Sequence, residues 1–398
     1  MNVVFISPHF PHTYWQFCDR LKQKGANVLG IADTPYENLP NELKNALTDY
    51  YRVDTLEDYD AVYRAVAFFA SRYGKIDWIE SNNEYWLQQD AQLRTDFNVT
   101  TGVKADRVED FKEKSAMKKF YAEGGIPTAR QIHGREGQEA AVEFSKLTGF
   151  PLIAKPDVGV GASDTHKIHS EEELMRFFSE NPHSADYVIE EFITGNIYSY
   201  DAICNAEGDA LFESATWFPP SIMDIVNKKL ELSYVVQKEV PSQLRELGRK
   251  TLKAFGVKSR FVHFEFFCLS REHKGLGKKG DFVGLEVNMR PAGGYTPDMI
   301  NYAHSTDVYS IWADVVCYGE RRTDEGEQFY CAYCSRRDIY DYLHTHEEVL
   351  QRYGDAIVMC ERMPEVLSGA MGNQMYTAKL RTQQEVDEFV DFITKKRA

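Results

Sequence analysis

The stretch Asp281-Phe282-Val283-Gly284-Leu285-Glu286-Val287-Asn288-Met289-Arg290-Pro291 carries more information than any other in this chain. Side chains alternate faces along a strand. Val283, Leu285, Val287 and Met289 are therefore expected on one apolar face, and Gly284, Glu286, Asn288 and Arg290 on the other. A carboxylate, an amide and a guanidinium in line make a poor core. They make a good oxygen cage for a hard cation, with a cationic clamp beside it. The plainer alternative is the solvent face of an edge strand. Against it, Asn is a poor strand former, and the strand runs directly into Arg-Pro-Ala-Gly-Gly.

A natural partner strand is Arg260-Phe261-Val262-His263-Phe264-Glu265-Phe266-Phe267-Cys268, in which Glu265 is the lone acid of an apolar run. A buried carboxylate needs a metal or a cation. If the two strands pair, Glu265 and Glu286 can share Mg²⁺. His263 lies on the face of Glu265 and reads as a packed or hydrogen-bonded histidine, because Mg²⁺ prefers oxygen. Upstream, Lys155 ends a strand and enters the glycine-rich run Gly159-Val160-Gly161-Ala162-Ser163, where backbone N–H groups can approach phosphate oxygens. The lysine precedes the glycines, so this is not a Walker loop. Next comes Val188-Ile189-Glu190-Glu191-Phe192-Ile193-Thr194-Gly195, two carboxylates on an apolar strand that then turns. An extended backbone with a nearby carboxylate can answer the donor and acceptor edge of adenine.

Outward from these motifs the chain changes character. Residues 1–105 alternate strand and helix signals, with strands at Val3–Ile6, Asn27–Ala32, Tyr50–Val53 and Ile76–Ile79, and predict a doubly wound parallel sheet. Ligands of such sheets sit beyond the carboxyl ends of strands, so Ser7-Pro8-His9, Asp33-Thr34 and Ser81-Asn82-Asn83-Glu84 are candidate site loops. No GxGxxG turn is present. Residues 106–320 read as α+β, opening with one helix over Glu109–Glu123 that stops at Gly124-Gly125-Ile126-Pro127. Residues 321–398 read as an α+β extension ending in an amphipathic helix from Gln384 to Thr394. The turn-rich segment Trp217-Phe218-Pro219-Pro220-Ser221-Ile222-Met223-Asp224 is either a cover over the cleft or an excursion between strands.

The composition narrows the partners. With 398 residues, 43% of them hydrophobic, the chain suits several domains, and no apolar run reaches the length of a membrane helix. Lys+Arg 46 against Asp+Glu 61 leaves a net charge of −15, which argues against nucleic acid and membrane as partners. The amino terminus reads as a first strand rather than a leader, and seven scattered cysteines fit a reducing cytoplasm. Cys331-Ala332-Tyr333-Cys334 lacks a second ligand pair, and strand geometry would point its cysteines to opposite faces.

The ordered set of helix lysines, Lys-Pro with a glycine loop, Glu-Glu-Phe-Ile-x-Gly, and Glu followed by Glu-x-Asn-x-Arg resembles the ATP-grasp superfamily over roughly 105–320. It looks most like the carboxylate–amine ligases and the carbamoyl-phosphate synthase large subunit. The resemblance implies an ATP-grasp domain over 106–320, with a small nucleotide-lid subdomain at about 125–192, behind an N-terminal α/β domain. It implies that Lys114 and Lys155 meet the nucleotide phosphates, that Gly159, Gly161 and Ser163 belong to a loop closing over them, and that Glu190, Glu191 and Ile193 contact adenine. Glu265, Glu286 and Asn288 correspond to the metal ligands, and Arg290 to the residue that steadies the transferred phosphoryl group. The implied cofactors are ATP and Mg²⁺, with Mn²⁺ as a substitute. The implied partners are a small carboxylate and an amine, amino-acid-like, and a second copy of the chain. The family often holds the ribose with a Glu two residues after the hinge glycine; here that position is Ile197, which leaves Glu190 or Tyr198 for the task. The reading favoured is an ADP-forming carboxylate–amine ligase. Bicarbonate-activating chemistry and a non-catalytic ATP-binding protein are the alternatives.

Overall fold

The computed structural model describes residues 1–159, 164–218 and 230–397. Gly161, Ser163 and the segment Pro219-Pro220-Ser221-Ile222-Met223-Asp224 lie outside the described residues. Three sheets organise the rest. The first contains β1 (Asn2–Ile6), β2 (Asn27–Ala32), β3 (Asp49–Arg52) and β4 (Trp78–Glu80), all parallel in the order β3-β2-β1-β4. Strand β1 is buried on both faces. Val3 and Phe5 join one hydrophobic cluster and Val4 and Ile6 another, as alternation requires of a doubly covered sheet. The helix Tyr59–Tyr73 covers one face through Val62, Ala65, Val66 and Phe69, spaced three and four apart. Its first turn is held by Asp58, whose carboxylate accepts from Ala61 N at 3.1 Å.

The second sheet is antiparallel: β5 (Gln131–His133), β6 (Leu152–Pro156), β7 (His166–Ile168) and β8 (Tyr187–Glu191), in the order β5-β8-β6-β7. The third is a broad antiparallel sheet of β9 (Gly195–Cys204), β10 (Ala210–Phe218), β11 (Ser233–Val236), β12 (Arg260–Leu269), β13 (Phe282–Asn288), β14 (Tyr330–Arg336), β15 (Ile357–Arg362) and β16 (Gln374–Leu380). Its order is β13-β12-β9-β10-β11-β14-β16-β15, so strands from the C-terminal segment continue the sheet that carries the acidic strands. Cys331 and Cys334 lie on β14 and enter clusters on opposite faces of it, both as free thiols.

The expected single helix over Glu109–Glu123 is two. Glu113 is extended (φ −89, ψ 118) and separates Glu109–Lys112 from Lys114–Glu123. The break has a tertiary cause. Ser115 donates to the Asp157 carboxylate from its backbone N (2.8 Å) and its hydroxyl (2.5 Å), and Lys114 N donates to Asp157 O at 3.1 Å. This anchor at the end of β6 puts Lys114 at the head of the second helix.

Two seams join the N-terminal sheet to the broad one. Along the helix Trp15–Gln23 and just past it, Gln16, Arg20 and Lys24, four residues apart, reach Asp298 (3.0 Å), Asp307 (2.6 Å) and Asp314 (2.7 Å). The second seam is buried. Glu80, at the end of β4, accepts from Arg260 Nη1 at 2.6 Å and Arg94 Nη2 at 3.1 Å. Burial alone would push its pKa up; the two guanidiniums outweigh that and hold it below the usual carboxylate value. Arg260, the first residue of β12, also donates to the Met289 carbonyl, one residue before Arg290.

Beside this seam Asp90 accepts from Ser81 Oγ at 2.6 Å and from Ser81 N at 3.0 Å. Burial, opposed by Arg94 and reinforced by Glu80, pushes its pKa up to about 7. Between the ordinary carboxylate value and about 7 the folded chain keeps a proton that the unfolded chain has released, so folding stability falls as the pH rises through that window. Asp90→Asn should flatten this slope and stabilise the fold at pH 8 by about 1–2 kcal/mol. Urea titrations at pH 5 and pH 8 check it; an unchanged difference between the two pH values would refute the assignment.

Candidate active site

Glu265 and Glu286 are direct cross-strand partners on β12 and β13, and His263 faces Asn288 in the same ladder. The pairing of the two motif strands is therefore as the sequence predicts. The uninterrupted alternation is not. The register shifts between Glu265 and Phe266, so that Phe266 pairs with Gly284 and Leu285 is the extra residue. Across this bulge the faces exchange. Val287 and Met289 enter one large hydrophobic cluster together with Phe282, while Val283 joins a small separate cluster and Leu285 is only half-buried. Gly284 is needed at the bulge for closeness rather than for freedom: a Cβ there would stand 2.9 Å from the Tyr121 ring. Its N–H donates to Pro127 O at 2.8 Å, which ties the Ile-Pro turn to the acidic strand. From Glu286 onward the predicted face holds.

The acidic pair is held by neighbours rather than left bare. His263 Nδ1 sits 2.7 Å from Asp201 Oδ1, and its Nε2 sits 3.3 Å from Glu265 Oε1. Burial lowers the imidazole pKa, but the flanking carboxylates outweigh burial and raise it to about 9. His263 is thus a hydrogen-bonded cation that orients Glu265. Glu286 is driven above the usual carboxylate range by burial and by Glu265, against the pull of Lys114, whose Nζ is 3.8 Å from Glu286 Oε1. Asn288 Oδ1 receives one long contact, 3.4 Å, from Arg290 Nη2. Two facing carboxylates and an amide oxygen with spare acceptor capacity suit a hard, oxygen-seeking divalent cation. Among the described residues no group of three or more His, Cys, Asp or Glu forms a metal cluster, so the donor set here is two acids and an amide.

Facing these strands is the small sheet. Lys155 Nζ on β6 contacts Glu190 Oε2 at 2.7 Å, and Lys118 Nζ contacts Glu190 Oε1 at 2.8 Å. Burial would raise the Glu190 pKa, but the two ammonium groups bring it down to about 2. Lys118 also donates to Ala129 O at 2.9 Å. Lys114 Nζ donates to Gly159 O at 3.2 Å, and Gly159 carries φ +148, a conformation that favours glycine. Glu191 is engaged away from these lysines. Its carboxylate takes Arg130 N at 2.7 Å, Arg130 Nε at 3.1 Å and Arg130 Nη2 at 2.7 Å. Ile193 is buried with Ala129, Leu269 and Val283 at the turn into β9. Arg290 donates to Pro291 O at 2.9 Å, and its Nε lies 3.8 Å from Glu84 Oε2.

One arc of the fold therefore collects Lys114, Glu265, Glu286, Asn288 and Arg290, and a second collects Lys155 and Glu190. Two further residues belong with them. Lys118 lies four positions after Lys114, one turn along the same helix face, a spacing that could have singled it out. Glu84 lies in one of the candidate loops beyond β4, and no local pattern tells that it reaches Arg290.

No protein-family model matches the chain. Among curated proteins it is 24% identical over 277 residues to the L-arginine-specific L-amino acid ligase of Bacillus subtilis, a match that covers 67% of this chain and 64% of that protein. The matched stretch is thus less than two thirds of the relative's length. Among solved structures, the L-amino acid ligase of Bacillus licheniformis superposes with a TM-score of 0.68 at 16% identity, covering 98% of this chain and 97% of that one. The biotin carboxylase domain of the Hydrogenobacter thermophilus 2-oxoglutarate carboxylase, solved with MgADP, ADP and bicarbonate, superposes with a TM-score of 0.71 at 14% identity, covering 99% and 90%. At these identities the likeness is one of fold, and it extends over nearly the whole chain.

Proposed function

We propose that this chain, which has the ATP-grasp fold, is an ATP- and divalent-metal-dependent ligase that activates a carboxylate as an acyl phosphate and joins it to an amine. The observation that carries this reading is the cross-strand pair Glu265–Glu286, with Asn288 and Arg290 beside it and Lys114 and Lys155 reaching in from the facing elements. Two similar proteins are named L-amino acid ligases, so amino acids are the substrate class we assign.

On this reading Lys114 and Lys155 receive the triphosphate, and the backbone at Gly159 lies against it. Glu190, kept ionised by Lys118 and Lys155, accepts a hydrogen bond from the exocyclic amine of the base. Glu265, Glu286 and Asn288 would hold Mg²⁺, which when bound neutralises charge on the β- and γ-phosphates. An oxygen of the substrate carboxylate attacks the γ-phosphorus, the bond to the β–γ bridging oxygen breaks, and ADP leaves. Arg290 offsets charge on the transferring oxygens. The amine then attacks the acyl carbon, phosphate departs, and the nitrogen loses a proton to give the amide. His263, held as a cation between Asp201 and Glu265, has no lone pair with which to attack, and no Ser or Cys stands among the residues gathered here as a protein nucleophile.

Carboxylate labelled with ¹⁸O should deliver one label into inorganic phosphate, read by mass spectrometry beside ADP. Release of AMP and pyrophosphate, or unlabelled phosphate with amide formed, would overturn the mechanism. Among the described residues no helix is long and apolar enough to cross a membrane. A second copy of the chain as partner and action in the cytoplasm complete the proposal.

A further inference from the structure

The three candidate loops of the N-terminal sheet meet around a cavity that the reading above leaves unused. It has a volume of about 300 Å³ and lies beyond the carboxyl ends of all four strands, centred where the chain, having built β2 and β3 on one side of β1, crosses to β4 on the other. His9 and Phe10 come from the loop after β1, Asp33 from that after β2, and Tyr85 and Trp86 from that after β4, with Leu56 beneath. Two residues of these loops hold left-handed backbone without being glycine: Ser7 (φ 54), which lines the cavity, and Asn82 (φ 54). Such strain costs of order 1 kcal/mol each and collects where a loop must be held in one shape for a ligand.

The lining has a definite chemistry. The buried His9 Nδ1 has no hydrogen-bond partner among the described residues, and its Nε2 stands 4.0 Å from Asp33 Oδ1, beyond hydrogen-bond reach. The Asp33 carboxylate makes no hydrogen bond among the described residues; Arg52 reaches its backbone carbonyl instead, at 3.2 Å. Tyr85 donates its hydroxyl to Glu57 at 2.5 Å and brings a second carboxylate to the rim. Phe10 and Tyr85 are 58% and 60% exposed, apolar area that the fold itself does not use. Aromatic rings beside a carboxylate that makes no hydrogen bond attract a cation and repel an anion. The net charge of −15 acts in the same sense at long range.

We propose that this cavity binds an organic cation, an ammonium or guanidinium group on a short apolar stem, and that it seats the side chain of one of the two substrates. The stem lies along the aromatic rings and Leu56, and the head group donates to the Asp33 carboxylate. The cavity adjoins the reacting centre, because Asn83 and Tyr85 line it while Glu84 between them approaches Arg290 at 3.8 Å. The assignment to a substrate rests on the ligase reading; the cation site does not.

The test is calorimetric titration of the full chain without nucleotide, using L-arginine and L-lysine against their neutral counterparts L-citrulline and L-norleucine. At least one cation should bind about tenfold or more tighter than its counterpart, and Asp33→Asn and Tyr85→Ala should each weaken that binding about tenfold. Tyr85 is exposed and the Asp33 carboxylate, half-buried, makes no hydrogen bond among the described residues, so the fold should survive either change. Equal binding of cation and neutral analogue, no binding of either cation at millimolar concentration, or affinity unchanged in both variants would overturn the proposal. If cation binding follows the expected pattern while no amino acid pair elicits ADP release, the ligase reading falls and the cation site stands. If ADP release occurs but cations bind no better than neutral analogues, the reverse holds.

Discussion

Glu286→Gln should leave the chain folded while slowing ADP formation by roughly a hundredfold to a thousandfold. The amide keeps the shape of the side chain on β13, so the pairing with β12 is undisturbed. It removes the charge that faces Glu265 and lies 3.8 Å from Lys114 Nζ. A neutral oxygen is a weaker donor to a hard divalent cation, and the metal concentration for half-maximal rate should rise in parallel. Glu286 is disfavoured as an ion in the free chain by burial and by Glu265, so the substitution should if anything stabilise the metal-free fold. ADP release with magnesium titration, together with a thermal melt, separates the two effects. Wild-type turnover in the variant would remove Glu286 from the metal set.

Glu80→Ala should produce the largest loss of stability, about 3–5 kcal/mol, equivalent to a fall of about 5 °C in Tm for a chain of this length. Arg94 and Arg260 are 0% and 2% exposed in their side chains, and both spend a guanidinium nitrogen on the Glu80 carboxylate. Without it two buried cations share only backbone carbonyls and Asp90. The damage should extend to the site, since Arg260 also holds the Met289 carbonyl beside Arg290. Replacing Glu80 and Arg260 together by leucine and methionine should recover part of the lost stability without recovering activity. Urea unfolding of both variants tests this, and an unchanged midpoint for Glu80→Ala would refute the seam.

The parallel sheet and most of the strands were legible in outline from local pattern, whereas the joining of β14, β16 and β15 to the sheet of the acidic strands was not. Runs such as Val3–Ile6 and Phe261–Leu269 state their strand character by themselves, because β-branched and aromatic residues crowd them and turn residues bound them. The facing of Glu265 and Glu286 was legible too, since an acid inside an apolar run has few tolerable neighbours. By contrast, the helices Thr296–His304 and Val308–Tyr318 leave no clear stripe. The second is buried on nearly every side, Val308, Tyr309, Ile311, Trp312, Ala313, Val315 and Val316 alike, and a helix apolar all round has no periodicity to read.

Glu113, Leu285 and Glu84 mark where local pattern ends. The helix breaks at Glu113 because Asp157, over forty residues away, takes the Ser115 donors. Leu285 leaves the apolar face because the β12 register slips by one residue beside Glu265. Glu84 meets Arg290 because an ion seam clamps β4 to the start of β12. Residue types, their order and their short-range periodicity are properties of the chain and decide which elements form and which side chains carry chemistry. Which lysine meets which glutamate depends on contacts between segments far apart in sequence. Those contacts form only when burial of the sheets makes an unpaired charge costly enough to select its partner.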